Sequence, residues 1–309
     1  MPFSAGCLTA QVSGADGARF PVFVFYPSTD PERPEQLGLF TVDVALDGPS
    51  AGSSLPLVVV SHGTGSAPLL FRTLAMHLAR HGCVVALPEH PHNNRLDNSL
   101  GGTAQNLADR PRHIRSVLDW AFASDPFGPK LQPNSAAVIG HSVGAYTALA
   151  TAGGIPTAFP WESPDGQAHP VSVVPDDRVT ALVLLAPAAA WFLNPGALAS
   201  VRTPILMFTG DHDDLEIPGT KTLGDGSKVD MPAGHSAIIT RGLPPATEIV
   251  HRVVPNAGHY SFVSPYPAAM TSPAFPPSQD PPGFDRVAFH RTMNAEILAF
   301  VVAHGAGPR

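Results

Sequence analysis

The segment GHSVG places Ser142 between Gly140 and Gly144. In this spacing a serine sits on a sharp turn between a strand and a helix, and the glycines leave room for the tight backbone. The pattern also occurs by chance, and GPSAG around Ser50 matches it. Ser142 follows the apolar run AAVIG and precedes the small-residue run VGAYTALATAGG, whereas a proline-flanked loop pattern surrounds Ser50. We therefore predict that Ser142, and not Ser50, is a nucleophile.

A serine hydroxyl is a weak nucleophile at neutral pH, so it needs a histidine base and a carboxylate that orients the histidine. After a strand–serine–helix turn, the acid comes first in the chain and the histidine second. The acid is expected in GDHDD, after the apolar run ILMFTG, and we favour Asp213 over Asp211 and Asp214. Among 14 histidines we favour His259, which follows the run EIVHRVV, over His235, which has a similar frame without a preceding strand pattern.

The negative charge that forms on a substrate oxygen during such a reaction must meet backbone N–H donors. We expect one donor from Val143, directly after the nucleophile, and the other from Thr64 in the SHGTG loop. His62 in that loop is interpreted as a residue that stiffens it, and it is kept as a candidate pocket residue. The remaining pocket candidates are aromatic, with core packing as an equal alternative for each: Trp161, Trp191, Phe192 and Tyr260.

Other reactive residue types give weaker signals. Glu89, His90 and His92 in EHPHNN suggest a metal, but their spacing matches no tetrahedral ligand set, so we predict no metal and no cofactor. The two cysteines, Cys7 and Cys83, provide neither a disulfide framework nor a ligand cluster. Cys83 lies in the apolar run CVVAL and is predicted to be a small core residue.

The elements that position these residues are predicted from apolar runs rich in β-branched residues. The runs are LPLVVVS (55–61), CVVAL (83–87), AAVIG (136–140), TALVLLA (180–186), PILMFTG (204–210) and EIVHRVV (248–254). Continuous apolarity indicates strands covered on both faces, as in a parallel sheet. Helical patterns at 67–82 and 111–122, the second with Pro111 in its first turn, separate the first three runs. The alternation predicts an α/β fold with helices on both faces of a mostly parallel sheet.

Two terminal segments and the proline-rich segments complete the prediction. RFPVFVFYP alternates as an antiparallel edge strand would, and 284–303 has the spacing of a closing amphipathic helix. Many of the 35 prolines fall in 154–178, 215–247 and 264–283. Long ordered loops commonly carry function, so we predict that these three segments wall a substrate cleft, with ordinary surface loops as the alternative. We interpret the chain as one domain, 1–309.

Composition and charge exclude several classes of protein. The 309 residues are 44% hydrophobic and 14% charged, which is typical of a soluble globular protein. A formal net charge of −7 without Lys/Arg runs argues against nucleic-acid binding. We see no secretory signal and no apolar window long enough to span a membrane, so we expect a cytoplasmic protein without a membrane span. The sequence does not indicate the oligomeric state.

In combination, PLVVVSHGTG, ALPEHPHNN, RPRHIRSVLDW, GHSVGAYTA, the G-x-x-D turn and NAGHYSF resemble the α/β-hydrolase superfamily. The resemblance is to the branch of plasma-type platelet-activating-factor acetylhydrolases and bacterial predicted dienelactone hydrolases, over about residues 55–260. It implies an α/β-hydrolase fold and a serine carboxylic-ester hydrolase. The implied triad is Ser142, Asp213 and His259, with Thr64 and Val143 as oxyanion donors. True dienelactone hydrolases use a cysteine nucleophile, so the serine argues against lactone chemistry.

The main functional hypothesis is hydrolysis of a small-molecule carboxylic ester, with a short to medium acyl chain, through an acyl-serine intermediate. Acyl transfer or amide cleavage by the same triad is the alternative among enzymes, because a triad does not dictate acceptor or leaving group. From another class of protein, the alternative is a ligand-binding protein that keeps the hydrolase fold without turnover.

Overall fold

The computed structural model describes residues 3–14, 17–222 and 228–304. The strands are β1 (Ser4–Ser13), β2 (Arg19–Ser28), β3 (Arg33–Leu37), β4 (Phe40–Leu46), β5 (Leu55–Ser61), β6 (Val84–Pro88), β7 (Leu131–His141), β8 (Thr157–Ala158), β9 (His169–Pro170), β10 (Val179–Leu185), β11 (Ile205–Gly210), β12 (Gly219–Thr222), β13 (Lys228–Met231) and β14 (Ile249–Val254). The α-helices are α1 (Arg72–Arg80), α2 (Ala104–Ala123), α3 (Val143–Thr151), α4 (His235–Gly242) and α5 (Arg286–His304).

Ten of these strands form one sheet in the order β14-β11-β10-β7-β5-β6-β2-β1-β4-β3. Neighbours from β14 to β6 pair in parallel, and β2 pairs antiparallel with β6. The mostly parallel sheet predicted from the apolar runs is therefore confirmed. The edge position expected for RFPVFVFYP is wrong, because β1, β4 and β3 continue the sheet beyond β2.

The core occupies both faces of the sheet, which explains why the parallel strands are apolar along their whole length. Helices α2, α3 and α4 pack on one face, with α2 burying Ile114, Val117 and Leu118. Helices α1 and α5 pack on the other, where Leu74 and Ile297 are buried. Among the described residues, no helix combines the length and the apolar character that crossing a membrane requires.

Helix α2 begins at Ala104, well before Pro111, which the sequence pattern placed in its first turn. The hydroxyl of Thr103 accepts a hydrogen bond from Asn106 N at 3.2 Å and caps the helix there, so Pro111 lies inside it. A proline has no N–H, which leaves the carbonyl four residues before it without its helical donor. The hydroxyl of Tyr146 donates to that carbonyl, Leu107 O, at 2.9 Å. A contact from α3 thus replaces the bond that Pro111 cannot make.

Candidate active site

The predicted catalytic residues lie on loops at the carboxyl edge of the parallel strands. Ser142 directly follows β7, Asp213 lies on the turn after β11, and His259 follows β14. Because β5, β7, β10, β11 and β14 run in the same direction, the loops after them meet at one edge of the sheet. Ligand sites of open α/β sheets form at this edge.

Ser142 has the backbone of a strained strand-to-helix turn. Its φ is 55° and its ψ is −122°, in a region that residues with side chains rarely adopt. Its N–H donates to Leu185 O at 3.1 Å and holds the turn against β10. A Cβ on Gly144 would overlap Ser61 O, and one on Gly140 would overlap Gly144 O. The glycines of GHSVG are therefore required by close packing of β5, β7 and α3.

The second copy of the pattern has none of this geometry. Ser50 lies in a loop and forms an isolated bridge with Ser28. Lys130 Nζ donates to both the carbonyl and the hydroxyl of Ser50. Ser50 therefore anchors a lysine, and no helix follows it.

Asp213 and His259 form a hydrogen-bonded pair. His259 Nδ1 lies 2.9 Å from Asp213 Oδ2, and Leu215 N donates to Asp213 Oδ1 at 3.0 Å. Burial acts to raise the pKa of Asp213, but the hydrogen bonds and the nearby histidine outweigh it and hold this pKa below its ordinary value. The carboxylate is thus ionised and keeps the proton of His259 on Nδ1, which leaves Nε2 as an acceptor. Asp211 and Asp214 are exposed on the same turn.

Ser142 and His259 line one cavity of about 560 Å³. Thr64, Val143 and Tyr260 line it too, so the structure brings most of the predicted site residues together. Among the hydrogen bonds of the described residues, none joins Ser142 to His259. Such bonds are often long in the absence of substrate and shorten in the reacting complex.

The three proline-rich segments have different positions. Segment 264–283 supplies one wall of the cavity through Tyr266, Met270, Phe275 and Pro277. Segment 154–178 lines a separate groove against the start of α2. The described residues of 215–247 are not among those lining either space, and 223–227 lies outside the described residues.

Three of the aromatic pocket candidates lie away from the cavity. Trp161 stacks on Phe159 at 4.6 Å and lines the separate groove. Trp191 and Phe192 pack against Tyr146, with ring centroids 5.0 and 5.6 Å away. These contacts belong to the core, because Tyr146 is fully buried in the core cluster and its hydroxyl donates to Leu107 O on α2. The prediction that they line the pocket of Ser142 is corrected accordingly.

His62 is fully buried in the SHGTG loop. Its Nε2 accepts the backbone N–H of His90 at 3.2 Å, so Nδ1 carries the proton and donates to Gly63 O at 2.8 Å. Burial first, and then the charge of Arg110, lower the pKa of His62 to about 3. This neutral histidine braces the loop, as its first interpretation proposed, and it does not line the cavity.

The residues of EHPHNN point in different directions. Glu89 lines the cavity, and burial raises its pKa. His90 Nε2 hydrogen-bonds to Ser61 Oγ at 2.9 Å, and exposed His92 pairs with Asp97 at 2.8 Å. Within the described residues, no three His, Cys, Asp or Glu side chains are grouped to hold a metal ion.

Two further histidines have backbone partners. His235 begins α4 and accepts the N–H of Ala189 at 2.6 Å. His141 was not singled out by the sequence, yet its Nε2–H donates to the carbonyl of His259 at 2.9 Å. Burial lowers the pKa of His141 to about 3, so the ring is neutral. The residue before the nucleophile therefore holds the segment that carries the candidate base.

Sequence reasoning also missed Arg110 and Asn93, which lie behind the SHGTG loop. Asn93 Nδ2 donates to Thr64 Oγ1 at 2.9 Å, and Arg110 donates to Asn93 Oδ1. One signal was present: Arg110 has helical spacing to the apolar residues Ile114 and Val117. A charged residue within an apolar stripe is a buried charge that needs partners.

A parallel sheet with a serine on the turn between β7 and α3, and an Asp–His pair after later strands, defines the α/β-hydrolase fold. A solved structure, ferulic acid esterase from Streptomyces cinnamoneus, is similar with a TM-score of 0.68 and 19% sequence identity, covering 99% of this chain and 91% of that chain. The family described as platelet-activating factor acetylhydrolase, isoform II, matches residues 35–99. No curated protein matches the chain in sequence.

The two similarities carry different information. The structural one, at low identity, shows the fold and confirms the α/β-hydrolase fold predicted from the sequence. The family match runs from β3 to the loop after β6 and includes SHGTG and EHPHNN. The family match supports a carboxylic ester hydrolase and agrees with the resemblance found in the sequence.

Proposed function

We propose that the protein hydrolyses small carboxylic esters through an acyl-serine intermediate on Ser142. The observation that carries the proposal is the shared cavity of Ser142 and His259, with His259 hydrogen-bonded to buried Asp213. A nucleophile, a base and an orienting acid on separate loops of one sheet edge are the parts that acyl transfer to a serine requires.

In the first half of the reaction, His259 Nε2 takes the proton of Ser142 Oγ as Oγ bonds to the carbonyl carbon. The electron pair of the C=O bond moves to oxygen, where the N–H groups of Thr64 and Val143 stabilise it. The C–O bond to the alcohol then breaks, and His259 gives its proton to the leaving oxygen. Asp213 stays ionised and stabilises the imidazolium that forms in between.

In the second half, water replaces the alcohol. His259 removes a proton from water, the new oxygen bonds to the acyl carbon, and Ser142 Oγ leaves with the proton that returns from His259. The products are the free acid and the unchanged serine. An alcohol in place of water gives acyl transfer, so comparison of hydrolysis with alcoholysis products separates these two reactions.

The cavity supports a substrate with an apolar acyl or alcohol group. Aromatic and aliphatic side chains dominate its walls, including Phe40, Tyr266, Met270 and Phe275. Its volume of about 560 Å³ lies within the usual range of small-molecule sites. We therefore propose a short to medium acyl chain. The esterase found by structural similarity is named for an aromatic acid, so a ferulate ester belongs in the same substrate series.

The test compares wild type, Ser142→Ala and the matched control Ser50→Ala, which changes the serine of the other G-x-S-x-G segment. Each protein is assayed with p-nitrophenyl esters of increasing chain length and methyl ferulate, and labelled with a fluorophosphonate followed by intact mass. We expect wild type and Ser50→Ala to turn over and label once, and Ser142→Ala to do neither. A folded Ser142→Ala with full turnover contradicts the proposal. A folded wild type that binds esters without turnover or label favours the ligand-binding alternative.

A further inference from the structure

Arg110 on α2 is completely buried, yet within the described part of the chain it contacts no carboxylate. Its Nε donates to Thr147 Oγ1 at 2.9 Å, and its two terminal nitrogens donate to Asn93 Oδ1, Ser61 Oγ and His62 O. All four acceptors are neutral oxygens. Burial of a cation without a counter-charge costs free energy. A merely structural function could be served by an apolar side chain in this apolar helix stripe, so the charge calls for another explanation.

The hydrogen bonds of Arg110 lead to both proposed oxyanion donors. On one side, Asn93 receives Arg110 on Oδ1 and donates from Nδ2 to Thr64 Oγ1 at 2.9 Å. On the other side, Thr147 receives Arg110 and donates to Val143 O at 3.0 Å. A single guanidinium is therefore one side chain away from each of the two residues proposed to supply an oxyanion donor.

Resting on the proposed function, we propose that Arg110 is a positioning residue of the oxyanion hole. It fixes the SHGTG loop and the first turn of α3 relative to each other, so that the N–H groups of Thr64 and Val143 keep their geometry. Its positively charged guanidinium is hydrogen-bonded to four neutral oxygens of the described residues and favours the negative charge of the tetrahedral intermediate. Preorganised donors of this kind act on the transition state and not on substrate binding.

The planar shape of the guanidinium suits this position better than an ammonium would. Arg110 uses all three of its nitrogens, and the acceptors belong to β5, the loop after it, the loop after β6 and α3. A lysine carries the same charge on one nitrogen and reaches fewer of these acceptors. Burial lowers the pKa of Arg110 to about 9, and the group is charged at neutral pH. Arg110→Lys thus keeps the charge and removes the link between the loops.

Two substitutions test the inference, each followed by kcat and KM with p-nitrophenyl butyrate. Arg110→Lys breaks the common link, and Thr147→Val removes the branch to Val143. The matched control is Thr151→Val, one turn further along α3, where a buried hydroxyl makes the same kind of bond, to Thr147 O at 2.8 Å, without contacting Arg110. We expect kcat to fall by about tenfold to hundredfold in the first two variants with little change in KM, and to stay unchanged in the control.

An aryl trifluoromethyl ketone provides a second readout, because addition of Ser142 to it produces an alkoxide in the oxyanion hole. Its affinity should fall in proportion to kcat/KM in Arg110→Lys and Thr147→Val, and a structural role alone would not produce this proportion. If Arg110→Lys does not fold, Thr147→Val and Thr151→Val carry the test.

The outcomes separate the two proposals. Wild type that turns over and labels at Ser142, while folded Arg110→Lys and Thr147→Val keep kcat and ketone affinity, overturns the role of Arg110 and leaves the esterase proposal intact. An equal loss of kcat in Thr147→Val and Thr151→Val also overturns it, because packing then explains both. If the wild type neither turns over esters nor is labelled at Ser142, no oxyanion forms in this site, and both proposals fail.

Discussion

Four buried histidines predict that the protein loses stability steeply below neutral pH. Burial lowers the pKa of His62 and of His141 to about 3 and that of His290 to about 4, and it holds the pKa of His90 well below its ordinary value. In the unfolded chain these side chains titrate near 6.5. Because each pKa is lower in the folded state, the stabilisation is fully present above about pH 6.5 and is lost as the pH falls towards the folded values.

The magnitude follows from the number of protons that only the unfolded chain binds. One such proton changes the free energy of unfolding by about 1.4 kcal/mol per pH unit. With four histidines, we expect a loss of roughly 3 to 5 kcal/mol between pH 6 and pH 5. Glu89 and Glu216, whose pKa values burial raises, act in the opposite direction and reduce the slope. The loss is a large part of the ~5–15 kcal/mol that stabilises a typical protein.

Urea unfolding followed by tryptophan fluorescence, between pH 5 and pH 7.5, measures this slope. His290→Phe removes one of the four groups and should reduce the loss between pH 6 and pH 5 by about a quarter. The matched control His212→Gln removes an exposed histidine and should leave the loss unchanged. A loss smaller than about 1.4 kcal/mol would correspond to fewer than one buried neutral histidine and would refute the reasoning.

Three further substitutions have defined outcomes. Asp213→Asn should lower kcat by about 10⁴-fold, because an amide no longer holds the tautomer of His259. The control Asp211→Asn, on the same turn, should leave kcat unchanged. Equal kcat values for the two variants would show that Asp213 is not the residue that orients His259. Gly144→Ala places a Cβ over Ser61 O, so urea unfolding should show a loss of about 1 to 3 kcal/mol together with loss of esterase activity, and a variant as stable as wild type contradicts the packing argument. Phe275→Ala removes part of a cavity wall and should raise the kcat/KM ratio of longer to shorter p-nitrophenyl esters by about tenfold; an unchanged ratio would exclude this wall from substrate binding.

The parallel sheet could be predicted from the sequence because burial on both faces leaves a local signal, a continuous apolar run. The extension by β1, β3 and β4 could not, because those strands are short or polar on one face and no single run identifies them. The alternating pattern of β2 shows only that one face is partly open near its start, and it does not place a strand at an edge. Alternation describes the faces of a strand, whereas position in a sheet depends on pairing partners.

The strand-to-helix turn that carries Ser142 was predictable because its requirements lie within five residues. The pocket was not predictable because its walls come from distant segments. Tyr260 lines the cavity as expected, since its neighbour His259 fixes its place. Trp191 and Phe192 follow β10 at the same sheet edge but pack against the buried ring of Tyr146 on α3. Apolarity alone does not distinguish a pocket wall from a core side chain.

The helical pattern of the sequence predicts that Arg110 is buried, but it does not predict which residues bind its guanidinium. Its helical spacing to Ile114 and Val117 places a charge on the face that packs against the sheet. Its partners are 17 to 49 residues away in the chain, so only the folded structure names them. Since a buried charge needs several acceptors, such a residue lies where several backbone segments meet. In a parallel sheet those segments include the loops that carry the reacting groups. A charged residue within the apolar face of a helix is therefore a candidate for positioning those loops.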